Sequence, residues 1–174
     1  TPDFMPRSAI VCLFPYHVPY RGATNLARYT WATDYHLVVT DYLQRLVDEL
    51  SSTNPNELFS IHCDTSPLAD RYMAYLAGLG FYGKNKCFIN PNWGSYIVIG
   101  TVLTTLEFKP NTPMTETCLG CNRCISACLG KCLDHNEFKY DTCKSYLTQK
   151  KGDLTDDEQS IVGKSPLVFG CDVC

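Results

Sequence analysis

CLGCNRCISACLGKC (residues 118–132) is the stretch on which the reading of the whole chain turns. Four of its cysteines, Cys118, Cys121, Cys124 and Cys128, follow the spacing C-x2-C-x2-C-x3-C, and Cys132 closes it. Three thiolates two residues apart can wrap one face of an iron–sulfur cubane. The fourth, three residues on, points away and ligates a neighbouring cluster. In two-cluster ferredoxins a proline follows that fourth cysteine. Leu129 stands there in this chain, a change that removes no ligand. Zinc is the competing metal, but it favours two C-x2-C knuckles separated by a spacer, so the spacing selects iron–sulfur.

Ligand counting extends outward from this stretch. One cluster would use Cys118, Cys121 and Cys124 and lacks an obvious fourth ligand. The other would use Cys128 together with Cys143, Cys171 and Cys174, the remaining downstream cysteines apart from Cys132. The first cluster must then take a cysteine beyond residue 174, or take Cys132. Two adjacent cubanes make a short electron relay. Its destination should be a redox cofactor or substrate held by the preceding part of the chain.

Composition agrees with this reading. Eight of the 11 cysteines lie from Cys118 onward. The odd count, the tight spacing and the lack of a signal peptide argue against a secreted disulfide scaffold. The 174 residues are 45% hydrophobic and 19% charged, ordinary for a globular protein. No apolar run approaches the ~20 residues of a membrane span, so no membrane partner and a cytoplasmic location are expected. Net charge is −3, and residues 1–117 (8 basic, 10 acidic) and 118–174 (7 basic, 8 acidic) are both balanced. Charge alone therefore predicts no nucleic-acid partner.

Upstream, RSAIVCLFPY (7–16) reads as a buried strand and VPYRGATNLARYTW (18–31) as a loop. A helix is expected over 33–50, capped by Thr33 or Asp34, with Val39, Leu43, Leu46, Val47 and Leu50 on its core face. SSTNPN (51–56) reads as a turn and ELFSIHC (57–63) as a second strand. PLADRYMAYLAGL (67–79) should be a helix burying Leu68, Tyr72, Tyr75, Leu76 and Leu79, and ending at Gly78 and Gly80. CFIN (87–90) and SYIVIGTVLTTLEF (95–108) read as strands joined by the turn PNWG. Residues 1–109 thus form an α+β domain, 110–117 a Pro/Thr linker, and 118–174 a ferredoxin-like two-cluster module with one short helix in its polar 150–164 stretch.

Several features carry less. GLGFYGK (78–84) matches a dinucleotide fingerprint, but follows a helix and opens a strand, the reverse of what that motif requires. Its glycines more simply let backbone pass close to something bulky. Pattern alone reads Asp64 as a helix N-cap, or else as an acid in a cleft at strand ends. His36 reads as an ordinary, partly buried histidine. His17, His62 and His135 carry no supporting neighbours. Cys12, Cys63 and Cys87 read as core cysteines.

Several segments in fixed order resemble one family. DTSPLADRYMAYLAGLGFYGKNKCFINPNWGSYIVIGTVLTTLEF (64–108), CLGCNRC, CKSYLTQKKG (143–152) and FGCDVC (169–174), with ARYTWATDYH (27–36) upstream, look like the epoxyqueuosine reductases. The resemblance covers nearly the whole chain. It implies reduction of epoxyqueuosine to queuosine in tRNA, using cobalamin and two [4Fe-4S] clusters. Asp64 matches that family's D-x-G-P aspartate, the proton donor, with Ser66 in place of the glycine. Arg71 matches an arginine that faces the tRNA. Cys118, Cys121 and Cys124 match the first cluster, whose last ligand in the family comes a few residues after the position of Cys174. Cys128, Cys143, Cys171 and Cys174 match the second. Cys132 falls where the family has a small apolar residue.

The same resemblance assigns Arg28, His36, Gly83, Lys84, Gly94 and Ser95 to the corrin. It implies a monomer that takes electrons from a flavodoxin or ferredoxin. Against that family's length the chain is expected to be incomplete at both ends, or a short paralogue. The alternatives are a corrinoid iron–sulfur reductase of a small molecule, and a plain electron-transfer protein.

Overall fold

Gly100, in the middle of the most apolar strand of the chain, marks the closest approach in the core. In the computed structural model, which describes residues 2–19, 24–134 and 137–174, it lies in the central strand of a three-stranded sheet. The strands are β1 (Ser8–Pro15), β2 (Phe59–Cys63) and β5 (Ile97–Thr104), in the order β1-β5-β2 with both edges antiparallel to β5. Cys12 and Cys63 face each other across Gly100 in register. On that face lies helix α1 (Tyr35–Thr53), whose Val39 and Leu43 are buried with Val102 and surrounded by Ile10, Cys12, Phe14, Val47, Ile61, Cys63 and Val98. A methyl group on Gly100 would sit 2.7 Å from Val39 Cγ1 and 2.9 Å from Leu43 Cδ1. The missing side chain is what lets the helix settle onto the sheet.

The core reading of Cys12 and Cys63 therefore holds. The first strand does not fit the buried description, because β1 is an edge and mostly half-buried. Only β5 is enclosed, from Gly100 to Thr104. Asp34 caps α1, its carboxylate accepting the His36 N–H. The helix runs three residues into the expected turn. At its end the Asn54 N–H donates to the Leu50 carbonyl at 2.9 Å, and the side chains of Ser52, Thr53 and Asn54 add hydrogen bonds to the Glu49 and Leu50 carbonyls.

On the other face α2 packs against β1 and β5. It spans only Asp70–Leu76, shorter than expected, and buries Ala74. Tyr72 and Leu76, expected in the core, are exposed by 53% and 44%. The small alanine lets the helix lie close to the sheet, and the larger side chains turn outward. The turn at 90–94 forms, with Asn90 and Gly94 exchanging backbone hydrogen bonds of 2.9 and 2.8 Å. The strands it joins belong to different sheets, however: β4 (Phe88–Ile89) pairs with β3 (Phe81–Tyr82), while β5 enters the main sheet.

Beyond residue 108 the described residues form only short helices: α3 (Arg123–Ala127), α4 (Lys144–Leu147), α5 (Asp156–Val162) and a 3-10 turn at Tyr140–Thr142. The expected helix in 150–164 is α5, started by a capping box between Thr155 and Glu158. The last residues return to the first part of the chain. Leu26 and Phe169 form a parallel bridge, and the Arg28 N–H donates to the Asp172 carboxylate at 3.0 Å. The loop expected over 18–31 lies partly, and His135 wholly, outside the described residues.

Gly100→Ala should destabilise the protein by about 1–3 kcal/mol, the usual penalty for overpacking a filled core. Urea unfolding followed by circular dichroism measures it. An unchanged midpoint would show that α1 is free to lift from the sheet.

Candidate functional site

Two features build the site: a gathering of thiols and an aromatic cleft. Cys128 follows the last residue of α3, and Cys143 opens α4. They meet because the backbone at Gly130 runs against the Thr142 carbonyl, so closely that an added Cβ would lie 1.7 Å from its oxygen. Cys128 and Cys132 are buried together with Leu133, and Cys124, Ile125 and Cys143 pack around them. The Cys128 and Cys132 sulfurs are 3.3 Å apart. Burial works against ionisation of Cys128. Bonds from Cys132 and from the N–H groups of Cys132, Leu133 and Gly130 nevertheless hold its thiol below the ordinary value. Burial and the same contact push Cys132 up.

Cys171 and Cys174 complete the group. Cys174 lies within electrostatic reach of Cys171, Cys128 and Cys143, and burial pushes its thiol up to about 12. The four cysteines assigned to the second cluster therefore lie on one side of the fold within electrostatic reach, although among the described residues no three of them close into a metal site; sulfur donors suit an iron–sulfur cluster. Their frame is well tied. The Cys174 carbonyl accepts from Asn85 Nδ2 at 2.9 Å and from Ser95 Oγ at 2.7 Å. Buried Lys144 donates to the Val162 carbonyl and to Ser165, locking α4 onto the end of α5.

Cys118, Cys121 and Cys124 lie on the approach to and within α3. The Gly120 and Lys84 N–H groups point at the Cys118 sulfur and lower its pKa. Cys132, considered as a fourth ligand for Cys118, Cys121 and Cys124, lies against Cys128, with Cys124 and Cys143 packed around the pair. Cys87, read as a core cysteine, is outside the sheet core and within electrostatic reach of Cys124 and Cys143.

The cleft is lined by Tyr16, Tyr29, Tyr35, Tyr72, Tyr82, Ile97 and Ile99, with Asp64, Asp70 and Arg71, and encloses about 540 Å³. Asp64 does not cap a helix: α2 starts six residues later behind Ala69. It occupies the left-handed region, φ 55°, an uncommon conformation for a residue with a side chain. Its Oδ2 accepts the Tyr35 hydroxyl at 2.6 Å and lies 3.2 Å from His36 Nε2. His36 Nδ1 in turn lies 2.7 Å from Asp34 Oδ1. Asp34, and less strongly Asp64, raise the pKa of His36 above the ordinary imidazole value, and that of Asp34 is lowered. Burial holds Asp70 above the carboxylate range, helped by the Asp64 charge. Arg71 Nη1 donates to the Lys86 carbonyl at 2.7 Å.

The residues assigned to the corrin do not gather in this cleft. His36 is engaged with Asp34 and Asp64. The Arg28 guanidinium donates to the Tyr96 hydroxyl and lies over the Trp31 and Tyr96 rings. Lys84 Nζ donates to Asn122 at 2.9 Å, Gly83 packs against Asn85, and Ser95 holds Cys174. Gly94 has open space around it. Arg28, Lys84 and Ser95 thus hold parts of the cysteine-bearing segments, while His36 stays with the cleft acid. Sequence reasoning missed Tyr35 and Asp70. Tyr35 was visible as the neighbour of His36 in the first helical turn. Asp70 carried no signal, because its significance comes from its place in the cleft wall.

Comparison with known proteins fits both halves. Residues 5–65 match the epoxyqueuosine reductase QueG, DUF1730 family, and residues 117–174 match the 4Fe-4S double cluster binding domain. The epoxyqueuosine reductase of Bacillus cereus is 36% identical over 148 residues, covering 84% of this chain and 38% of its own length. That of Listeria monocytogenes is 35% identical over 160 residues, covering 90% and 42%. The solved epoxyqueuosine reductase of Streptococcus thermophilus superposes with TM-score 0.83 at 30% identity, over 95% of this chain and 46% of that one. The chain belongs to the epoxyqueuosine reductase family. It spans less than half the length of these relatives. Among the described residues no helix is long and apolar enough to cross a membrane.

Because Asp34 is the largest cause of the raised His36 pKa, Asp34→Asn should move the His36 titration midpoint down toward the ordinary ~6.5, as followed by imidazole NMR. A folded-state pKa above the unfolded one stabilises the fold fully below the unfolded value, and this contribution is lost as pH rises through the folded value. The pH dependence of unfolding should therefore flatten in that window in the variant. An unmoved midpoint would mean that Asp34 does not hold the ring.

Proposed function

We propose that the chain carries the catalytic portion of an epoxyqueuosine reductase, converting epoxyqueuosine to queuosine in tRNA. In this reading residues 1–109 form the corrinoid and substrate domain and residues 118–174 hold two [4Fe-4S] clusters. The observation that carries it is a tethered carboxylate, Asp64, in an aromatic cleft beside gathered cysteines. An epoxyqueuosine reductase of 31% identity and TM-score 0.83 was solved with an epoxyqueuosine-modified tRNA-Tyr stem loop, which supports tRNA as the substrate.

The net reaction takes two electrons and two protons, and releases the epoxide oxygen as water while an alkene forms. A flavodoxin or ferredoxin would supply the electrons to the clusters. Bound cobalamin would supply a low-valent metal able to reduce the epoxide carbon. The tyrosine rings and isoleucines of the cleft suit it as a flat wall, with Asp64, Asp70 and Arg71 at its side. Asp64 delivers the proton to the opening oxygen. Tyr35 and His36 both engage Oδ2, so Oδ1 is the atom that presents it. Asp34 and His36 orient this carboxylate through hydrogen bonds. Lys84 and Gly120 steady Cys118, while Asn85, Ser95 and Arg28 hold the segment bearing Cys171 and Cys174. Gly83 and Gly94 shape the loops between the two parts. Arg71, in the cleft wall, meets the tRNA.

Asp64→Ala should lower turnover of epoxyqueuosine tRNA by about 10²–10⁴-fold, the range of a lost general acid, with iron content unchanged. Wild-type turnover would overturn the reading. Arg71→Ala should weaken tRNA binding and reduce the slope of log K against log salt by about 1, as loss of one phosphate contact does. An unchanged slope would favour the small-molecule alternative, which the balanced charge of the chain also fits.

A further inference from the structure

Cys132 has no place in the ligand set assigned above, yet it is among the most buried cysteines of the chain, 3% exposed. Its sulfur lies 3.3 Å from that of Cys128, 6% exposed. Thiolates on different irons of a cubane point apart. Two sulfurs in contact therefore address the same corner and cannot serve two irons at once.

The turn between them is fixed at both ends. The Lys131 N–H donates to the Cys128 carbonyl at 3.2 Å, and Lys131 takes a left-handed φ of 52°. The Lys139 N–H holds the Cys132 carbonyl at 2.9 Å. Gly130 is wedged against Thr142. With the backbone held on both sides, exchange between the two sulfurs needs side-chain rotation only.

We infer that Cys132 is a substitute ligand for the iron assigned to Cys128, so that the second cluster can be held by either sulfur. This rests on the reading of residues 117–174 as a two-cluster module, not on the identity of the substrate. The exchange balances without a redox partner. The iron–Sγ bond of Cys128 breaks, that of Cys132 forms, and the Cys132 thiol proton passes to the departing Cys128 sulfur.

The test compares Cys128→Ala, Cys132→Ala and the double variant, all reconstituted anaerobically. Iron and sulfide are counted, and the reduced clusters are recorded by electron paramagnetic resonance. Wild type should carry both clusters. Cys128→Ala should keep the second cluster with a shifted spectrum, and the double variant should lose about four irons. If Cys128→Ala alone loses as much iron as the double variant, the substitution does not occur.

A second measurement is independent of how Cys128→Ala folds. Cys132→Ala keeps every assigned ligand, and its second cluster should pass iron to a chelator severalfold faster than wild type. Equal rates would overturn the inference. A wild type without the second cluster's signal would overturn the module reading itself, and is distinguished by its iron count alone.

Discussion

The arrangement depends on the return of the C-terminal segment to the sheet domain. Val168, Phe169, Asp172 and Cys174 are tied respectively to Asn25, Ala27, Arg28 and the pair Asn85 and Ser95. Each bond is modest alone, about 0.5–1.5 kcal/mol for a neutral pair. Together they fix the position of Cys171 and Cys174 relative to the cleft. The Arg28 side chain is held by Tyr96, whose hydroxyl also donates to the Asp172 carbonyl at 3.1 Å. One aromatic residue thus braces both sides of the junction. Arg28 and Ser95, which the resemblance assigns to the corrin, also brace the segment that carries Cys171 and Cys174.

The cleft obeys a different logic. Its walls are tyrosines and aliphatic residues, and its acids are few and individually controlled. Asp64 is gripped on one oxygen, and its backbone is held in a conformation that favours glycine. Asp70, nearby, is disfavoured as a second charge first by its burial and then by Asp64.

Much of this was legible in the sequence for physical reasons. The periodicity of α1 and its Asp34 cap were visible because helix faces repeat locally. The cysteine spacing was visible because cluster ligation is strongly constrained in sequence. Tertiary choices were not. Nothing local distinguishes an Ala74 that packs from tyrosines that do not. Nothing local shows that the strands flanking 91–94 join different sheets. The surroundings of Cys87 and Cys132 were hidden for a related reason: a lone thiol carries no direction, and only the fold shows which neighbours it meets. Pattern alone favoured a helix cap for Asp64 over a cleft acid, because only the fold brings Tyr35 and His36 around its carboxylate.

The bond between Arg28 and Asp172 closes a loop of 144 residues. Contacts this distant along the chain form only after the entropy of closing the loop has been met by other structure. Cys171 and Cys174 therefore reach their places late, after the sheet that receives them exists. Assembly of the second cluster is in this way coupled to completion of the fold. A chain with a defective sheet would present its thiols as separate, reactive groups, and cluster content becomes a report on how far folding has gone.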